Sequence, residues 1–502
     1  MSTVYTRDGE AARPPMRRRR AFGLLALIVL MVEGVLLAYT FVLPALTDIA
    51  GHFQTTEVAW TLTVLTLSGA VFTPLVGKLG DMHGKKRCLL IAASLFVVGS
   101  VVCAVAPSFP IFLAGRAIQG IALPMLVLGY GLIRDLLPRE LVTTALGFVA
   151  TGLGISAVAG PFAGGYLIDK FGYAGAFWFL AIYTAVLGAM LAKMLPESPI
   201  RVPGKFDAIG LLLLTVGATL LTLGSGESYA WGFGSIKTLA VIVAGLILLV
   251  GWFYYQRIPS EPLIDLNLLA KPAISLTLLG SFFMQFTLLS YPMLITMFAM
   301  TRPEAGLGYG WGLSALGVSQ ISVFTGIAAV IAGPLAGRYC RRGNPELMLA
   351  LGGLSLMVAC AMFAMAHASI GMAMLSAAVF GIGGGTGSAA LSNLIVVHSP
   401  ASSQGVAGSL MNEIGLIGAA VGTQITLVVL STPGVIKVQD DSMYHAAGHV
   451  HAFWALVISA SMTVLAGLAA KSFCGKARLS GAPIASTGHD SALAEKPAST
   501  VP

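Results

Sequence analysis

Residues 57–87 read EVAWTLTVLTLSGAVFTPLVGKLGDMHGKKR, an apolar run followed by a charged turn. Helices rise about 1.5 Å per residue, so a run of about 20 residues crosses the hydrocarbon core of a bilayer. The turn, Gly77-Lys78-Leu79-Gly80-Asp81-Met82-His83-Gly84-Lys85-Lys86-Arg87, reverses the chain sharply. Gly80 and Gly84 permit the reversal, Asp81 suits a helix N-terminus, and Lys85, Lys86 and Arg87 suit an anionic membrane surface.

The same alternation runs along the whole chain. About fourteen apolar runs lie near 21–46, 57–77, 87–106, 109–133, 141–167, 174–195, 208–225, 236–256, 273–300, 312–337, 347–366, 369–397, 404–430 and 451–470. The 502 residues are 56% apolar and only 10% charged, with mean hydropathy +0.87. An average soluble domain carries about 25% charge, so a water-soluble enzyme is excluded and an all-α polytopic membrane protein is expected. Sixty glycines suit helices that pack closely through small side chains.

Charge placement sets the topology. With the Arg17–Arg20 cluster on the cytoplasmic side, about 24 of the 29 basic residues fall on cytoplasmic connections and four outside, while Arg116 lies in mid-span. The net charge of +8 is thereby explained by orientation, and no nucleic-acid partner is implied. An even number of spans puts both termini in the cytoplasm. The first run has no small-residue cleavage site and reads as a retained span of a plasma or inner membrane protein. The five cysteines show no CxxC or Cys/His spacing, so neither a disulfide framework nor a metal site is expected.

Pro74-Leu75-x-Gly77-Lys78, ending the second run, recurs as Pro334-Leu335-x-Gly337-Arg338, ending the tenth. An offset of eight spans fits two six-helix halves separated by two extra helices. The expected organisation is a basic tail over 1–20, a first half over 21–195, a linker with two extra helices over 196–272, a second half over 273–471 and a disordered tail over 472–502. The 431–449 segment is the longest external connection.

Three motifs carry a resemblance. The 77–87 turn resembles the signature loop of the major facilitator superfamily. Leu113-Ala114-Gly115-Arg116-Ala117-Ile118-Gln119-Gly120 resembles that family's second signature, in which a buried arginine precedes Gln-Gly. Gly147, Ser156, Gly160, Pro161, Gly164 and Gly165 resemble the fifth-span signature of its drug/proton antiporter branches, with Ser156 where the pattern has glycine. With Phe206-Asp207-x-x-Gly210 and Pro262-Leu263-Ile264-Asp265-Leu266, the pattern over 21–471 is similar to the fourteen-helix drug/proton antiporters. Two places depart from it: Val35-Leu36-Leu37 stand where members carry an Asp-x-Thr motif, and Asn412-Glu413-Ile414-Gly415 stand where members carry an Arg-Gln stretch.

The resemblance implies a secondary transporter that exports small amphipathic molecules in exchange for protons. Gly77, Asp81, Gly84, Lys85, Lys86 and Arg87 would form a cytoplasmic latch between halves, and Arg116 would take part in proton coupling. Read from the residues alone, Glu33 and Glu413 are the acids well inside apolar runs, one in each half, where desolvation favours proton binding. They are expected to couple protons and, with Gln119, Gln285 and Asn412, to contact substrate. Phe282, Phe283, Met284, Phe286, Met293, Met297 and Phe298 could equally form an adaptable contact face or face lipid. A glycine-rich run at 381–387 lacks the lysine of a phosphate loop, and His445, His449 and His451 lack partners at ligand spacing. No cofactor and no enzymatic activity are expected; the partners are substrate, protons and lipids, with the chain a monomer. Transport of one endogenous metabolite or lipid, or a non-transporting membrane sensor, are the alternative readings.

Overall fold

The computed structural model describes residues 18–136, 139–199, 201, 207–232, 235–259, 271–303, 308–340, 344–366, 369–398, 404–438 and 441–479. Phe206, the 262–266 motif, Arg341, Arg342 and most of both tails lie outside them. The elements are α1 (Arg18–Thr40), α2 (Leu46–Phe53), α3 (Trp60–His83), α4 (Lys85–Ala104), α5 (Phe109–Ile121), α6 (Met125–Leu136), α7 (Arg139–Met194), α8 (Ala208–Gly226), α9 (Ser228–Trp231) and α10 (Ile236–Tyr255). They continue with α11 (Pro272–Met300), α12 (Ala315–Cys340), α13 (Pro345–Met365), α14 (Ile370–His398), α15 (Gln404–Ser431), β1 (Val435–Val438), β2 (Asp441–Tyr444) and α16 (Ala446–Leu479).

Among the described residues twelve helices are long and apolar enough to cross a membrane, or thirteen if the pair Trp60–Thr73 and Leu75–His83, bent by 42° at Pro74, counts as one span. Pro74 cannot donate to the helix ladder, which accounts for the bend. The 56 residues of α7 would extend about 84 Å, far beyond one crossing. Gly172, at φ 67° and ψ −178°, breaks it into two arms, where the sequence showed two runs. Tyr173 restarts the helix beneath Asp48, whose Oδ2 accepts its backbone N–H at 2.7 Å.

Several boundaries differ from the expected ones. α1 begins at Arg18, so the end of the arginine cluster is helical, because consecutive arginines are good helix formers. α16 continues to Leu479, past the expected tail boundary at 472. The fourth run is split into α5 and α6 at Pro124. The 431–449 connection carries a hairpin, with Val435 opposite Tyr444, the one strand pair among the described residues.

Helices α1–α7 pack as one group and α11–α16 as a second. Between them in sequence, α8 and α10 pair, and α8 lies along α3 and α15 through Leu67, Ala218 and Ala420. Asp207 opens α8 as a cap, accepting from the Gly210 N–H at 2.8 Å and from Gln256 Nε2 at 2.9 Å. Ser235 caps α10 the same way through the Thr238 N–H. The ends bearing Lys85, Arg87, Arg257, Lys271, Arg338 and Lys471 share one side of the bundle, the basic face; the other side is here the far face.

Candidate functional site

The two groups are fastened to each other toward the far face. Thr63 of α3 and Thr423 of α15 join hydroxyl to hydroxyl at 2.8 Å, and Gln424 Nε2 donates to Thr63 Oγ1 at 3.0 Å. All three are fully buried, so these bonds are shielded from competing water. Tyr444 of the hairpin adds a bond from its hydroxyl to the Thr56 carbonyl, at 3.0 Å.

The glycine-rich stretch of α7 makes the second fastening. A Cβ on Gly160 would lie 2.4 Å from Thr40 Oγ1, and one on Gly164 would lie 2.9 Å from Phe41 Cα, so both seat α7 on α1. Gly165 faces the other way, where a Cβ would lie 2.6 Å from Ser319 Oγ and 2.9 Å from the Ala315 carbonyl of α12. Ser319 donates to the Pro161 carbonyl. Helix α7 has a proline at position 161, but the carbonyl on that residue still accepts, and the second group supplies the donor. One turn on, Asp169 accepts from the N–H groups of Ala315 at 3.1 Å and Leu316 at 3.3 Å, capping α12 from across the interface. Gly147 and Ser156 lie on α7, but their surroundings fall outside the described residues. Above this seal a cavity of about 600 Å³ opens at the far face between Asp48, Asp169, Met300 and Arg302.

At the basic face the charged turn is organised within the first group. Asp81 pairs with Lys85 at 2.9 Å, four residues on, and Lys85 also meets Asp135 at the end of α6 at 2.8 Å. Ser198 Oγ donates to Asp135 at 2.6 Å. Glu197 accepts the backbone N–H groups of Lys86 at 2.8 Å and Arg87 at 3.1 Å, a carboxylate on the N-terminus of α4. A Cβ on Gly84, at φ 114°, would strike that carboxylate at 2.7 Å, so glycine serves both backbone and contact. Lys86 Nζ donates to the Ala192 carbonyl. The ion pair of Asp81 thus spans the α3–α4 turn within the first group. Around Gly77 an added Cβ would meet nothing within 4 Å. Asp135, Glu197 and Ser198 are the partners that sequence reasoning missed; the acidic end of α6 was the only hint.

Arg116 is fully buried, and its Nε donates to the Thr61 carbonyl at 2.9 Å while Nη1 donates to Gln119 Oε1 at 2.6 Å. Gln119 in turn donates to Ser100 Oγ at 2.7 Å. The Phe177 ring lies 5.7 Å from the guanidinium, and Nη2 has no hydrogen-bond partner among the described residues. A membrane-buried arginine costs at least about 2.5 kcal/mol, which a carbonyl, an amide and a ring together offset. Gln119 is committed to this network inside the first group rather than to an open surface.

Glu33 and Glu413 are 4% and 3% exposed. Glu33 lies on α1 within electrostatic reach of Tyr130 and Tyr183, both in the first group. Glu413 precedes Gln424 by eleven residues, three helical turns, and so shares the face of α15 that meets α3, about 16 Å nearer the basic face. Its Oε1 has no hydrogen-bond partner among the described residues. Beside it, a Cβ on Gly415 would lie 2.9 Å from Gln285 Cγ, and Ser281 Oγ donates to the Met411 carbonyl at 3.0 Å. Gln285, half-buried Asn412 and Glu413 therefore gather on the α11–α15 pair, whereas Glu33, Arg116 and Gln119 belong to the other group.

The aromatic stretch of α11 is mainly packing. Gly418 and Gly422 receive the backbone at Phe282 and Phe286, where a Cβ would clash with the Phe282 carbonyl at 2.2 Å and with Phe286 Cα at 2.8 Å. Met284, Phe286, Met293, Met297 and Phe298 are buried. His449, 2% exposed, packs against Tyr309 and Phe298, with ring centroids at 4.7 Å and 5.4 Å.

The sequence pattern of the Major Facilitator Superfamily matches residues 24–423. An uncharacterized MFS-type transporter of Mycobacterium tuberculosis is 28% identical over 83% of this chain and 60% of its own length. The probable actinorhodin transporter of Streptomyces coelicolor is 31% identical over 70% of this chain and 62% of its own. This chain thus spans about three fifths of the length of those relatives. The tetracenomycin C resistance and export protein of Streptomyces glaucescens is 26% identical over 76% of this chain and 70% of its own. Among solved structures, a POT family transporter in complex with a thioalcohol-conjugated peptide aligns with TM-score 0.65 at 14% identity, over 91% of this chain and 96% of that one. A D-xylose-proton symporter aligns with TM-score 0.62 at 15% identity, over 89% and 97%.

Proposed function

Because the chain belongs to the Major Facilitator Superfamily, we propose that it exports small amphipathic molecules across a plasma or inner membrane in exchange for protons. The basic face is cytoplasmic, with both termini there, in keeping with the distribution of lysine and arginine. Two six-helix halves alternate access to a central path, and in this conformation they are joined at the outer end, through Thr63–Thr423 and Asp169–Ala315.

One observation carries the proton-coupled reading: a carboxylic side chain, Glu413, buried on the interface face of α15 with an oxygen that accepts no hydrogen bond from the described residues. An ionised acid at that depth is costly, so the group favours a proton or a cationic ligand in its place. Competition between the two for one site is antiport. A proton crossing 100 mV supplies about 2.3 kcal/mol, enough for severalfold concentration of a neutral substrate. Arg116 acts here as a structural tie that holds α5 to α3, setting the geometry of the half that carries Glu33.

The test is the purified chain in proteoliposomes with an imposed pH gradient and a panel of cationic, zwitterionic and neutral dyes. Gradient-driven movement of several dyes is the expected outcome; none moving, with the protein folded, would refute the reading. A narrower alternative, export of one metabolite, rests on relatives whose names each specify a single compound. Movement of one panel member alone would favour it.

A further inference from the structure

A buried carboxyl and a mostly covered imidazole at the basic face belong to none of the machinery above. Glu346 stands in the first turn of α13, and His398 closes α14. The His398 Nε2 lies 3.6 Å from Glu346 Oε1, with the side chains only 11% and 6% exposed. The other ring nitrogen, Nδ1, stands 3.0 Å from the Leu394 carbonyl, one turn back. A carbonyl only accepts, so Nδ1 carries a hydrogen. In the neutral ring Nε2 then presents a lone pair to a carboxylate, which also only accepts when ionised. Two acceptors facing each other in a buried place leave room for one proton between them.

The internal repeat makes the arrangement meaningful. Pro74 and Pro334 differ by 260 residues (334 − 74), and the same offset carries Lys85 to 345 and Asp135 to 395. Glu346 and His398 stand within a turn of those positions. In the first group the equivalent pair is Lys85 with Asp135, a lysine that stays charged across the physiological range. In the second group the signs are exchanged and the cation is an imidazole, whose ordinary pKa is about 6.5. One half therefore has a permanent tie where the other has a titratable one.

We propose that Glu346 and His398 form a proton-binding site at the basic face, where one proton taken from solution onto His398 Nε2 turns the contact of a neutral ring with a carboxylate into an ion pair tying the start of α13 to the end of α14. No bond other than the new N–H forms, and the site gains one positive charge. Other ionisable groups surround it. α12 brings Arg338 and Cys340. α16 brings Lys471 one turn beyond Gly467, whose added Cβ would lie 2.9 Å from the Glu346 carbonyl. α11 brings Lys271 one turn before Ile274, which packs with Ile395. α15 contributes Ala407 and Leu410 there. Arg341 and Arg342 lie outside the described residues. Arg338, Lys471 and Lys271 are exposed and screened by solvent, whereas Glu346 faces the ring directly. The regulatory consequence rests on the transport reading: acidity on the basic-face side would set the rigidity of the second half, and with it the rate of exchange between access states.

The site is tested on the full chain in lipid nanodiscs with 15N-labelled histidine, the His398 signals being assigned by their loss in His398→Gln. The midpoint of His398 protonation should fall by about 1 pH unit, tenfold in proton affinity, in Glu346→Gln. Equal midpoints in the two proteins, or no proton uptake by His398 between pH 5 and 8, would overturn the site. His398→Lys, a permanent cation, should flatten the dependence of dye transport on pH at the basic face; an unchanged profile would overturn the regulatory role. If the wild-type chain moves no dye, the transport reading fails while the titration still decides whether the site exists.

Discussion

Thr63 and Thr423, 360 residues apart in sequence, meet hydroxyl to hydroxyl at 2.8 Å on the line where the two helix groups touch. Gln424 donates to the same Thr63 oxygen, so three polar side chains form one buried fastening between α3 and α15. A buried hydrogen bond contributes about 1 kcal/mol, and losing it shifts a two-state equilibrium about fivefold. Thr423→Val should therefore raise maleimide labelling of a cysteine placed at Thr47, in the far-face cavity, about fivefold. Unchanged labelling would mean that this bond does not hold the seal.

Gly165 separates from its neighbours in kind, because it alone of the α7 signature glycines described above abuts the second group. Gly165→Leu must displace Ser319 and the Ala315 carbonyl, so transport should fall at least about tenfold while the chain still inserts, an overpacking cost of about 1–3 kcal/mol. Gly77→Ala, where an added Cβ meets nothing within 4 Å, should leave thermal stability equal or higher. Equal transport by Gly165→Leu and the wild type would show that this contact does not matter to the cycle.

The acids around Lys85 should separate by burial. Asp81 is 48% exposed in its side chain and Asp135 only 6%, so Asp81→Asn should cost under about 1 kcal/mol and Asp135→Asn about 3 kcal/mol. Thermal unfolding in nanodiscs should show the larger drop for Asp135→Asn. A larger drop for Asp81→Asn would place its main partner elsewhere, as in a latch to the second half.

For the proton-coupled reading, Glu413→Gln keeps nearly the same volume but cannot release a proton. Gradient-driven accumulation should fall at least about tenfold, with substrate counterflow retained, because exchange of one substrate molecule for another needs no proton. The same measurement on Glu33→Gln and on the double variant apportions the coupling between the two carboxyls. Full accumulation by the double variant would remove both from the mechanism.

What the sequence disclosed follows from how local each signal is. Apolar runs and basic turns are local, so the helices and the break near Gly172 could be read from the chain. The partners of Arg116 could not, because a backbone carbonyl such as that of Thr61 leaves no residue type to recognise. Glu197 reaches its targets across 110 and 111 residues, and no spacing rule covers that distance. Gln119 looked like a cavity residue by its depth in a span, yet an amide beside a buried arginine is drawn into satisfying it. Glu33 and Glu413 were legible as acids in apolar runs, one in each half, but only the packed helices show that Gln285 and Asn412 gather beside Glu413 while Gln119 stays with Arg116.

The elbow at Gly172 has a mechanical meaning. Both arms of α7 are helical and meet with no slack chain between them, and Asp48 pins the joint. The first arm bears Pro161, Gly165 and Asp169; just past the second lies Glu197, gripping α4. A tilt of the first arm away from α12 has no loop in which to dissipate. It swings the second arm like the other limb of a crank, so prying at one surface of the bundle becomes a pull on the charged turn at the opposite surface.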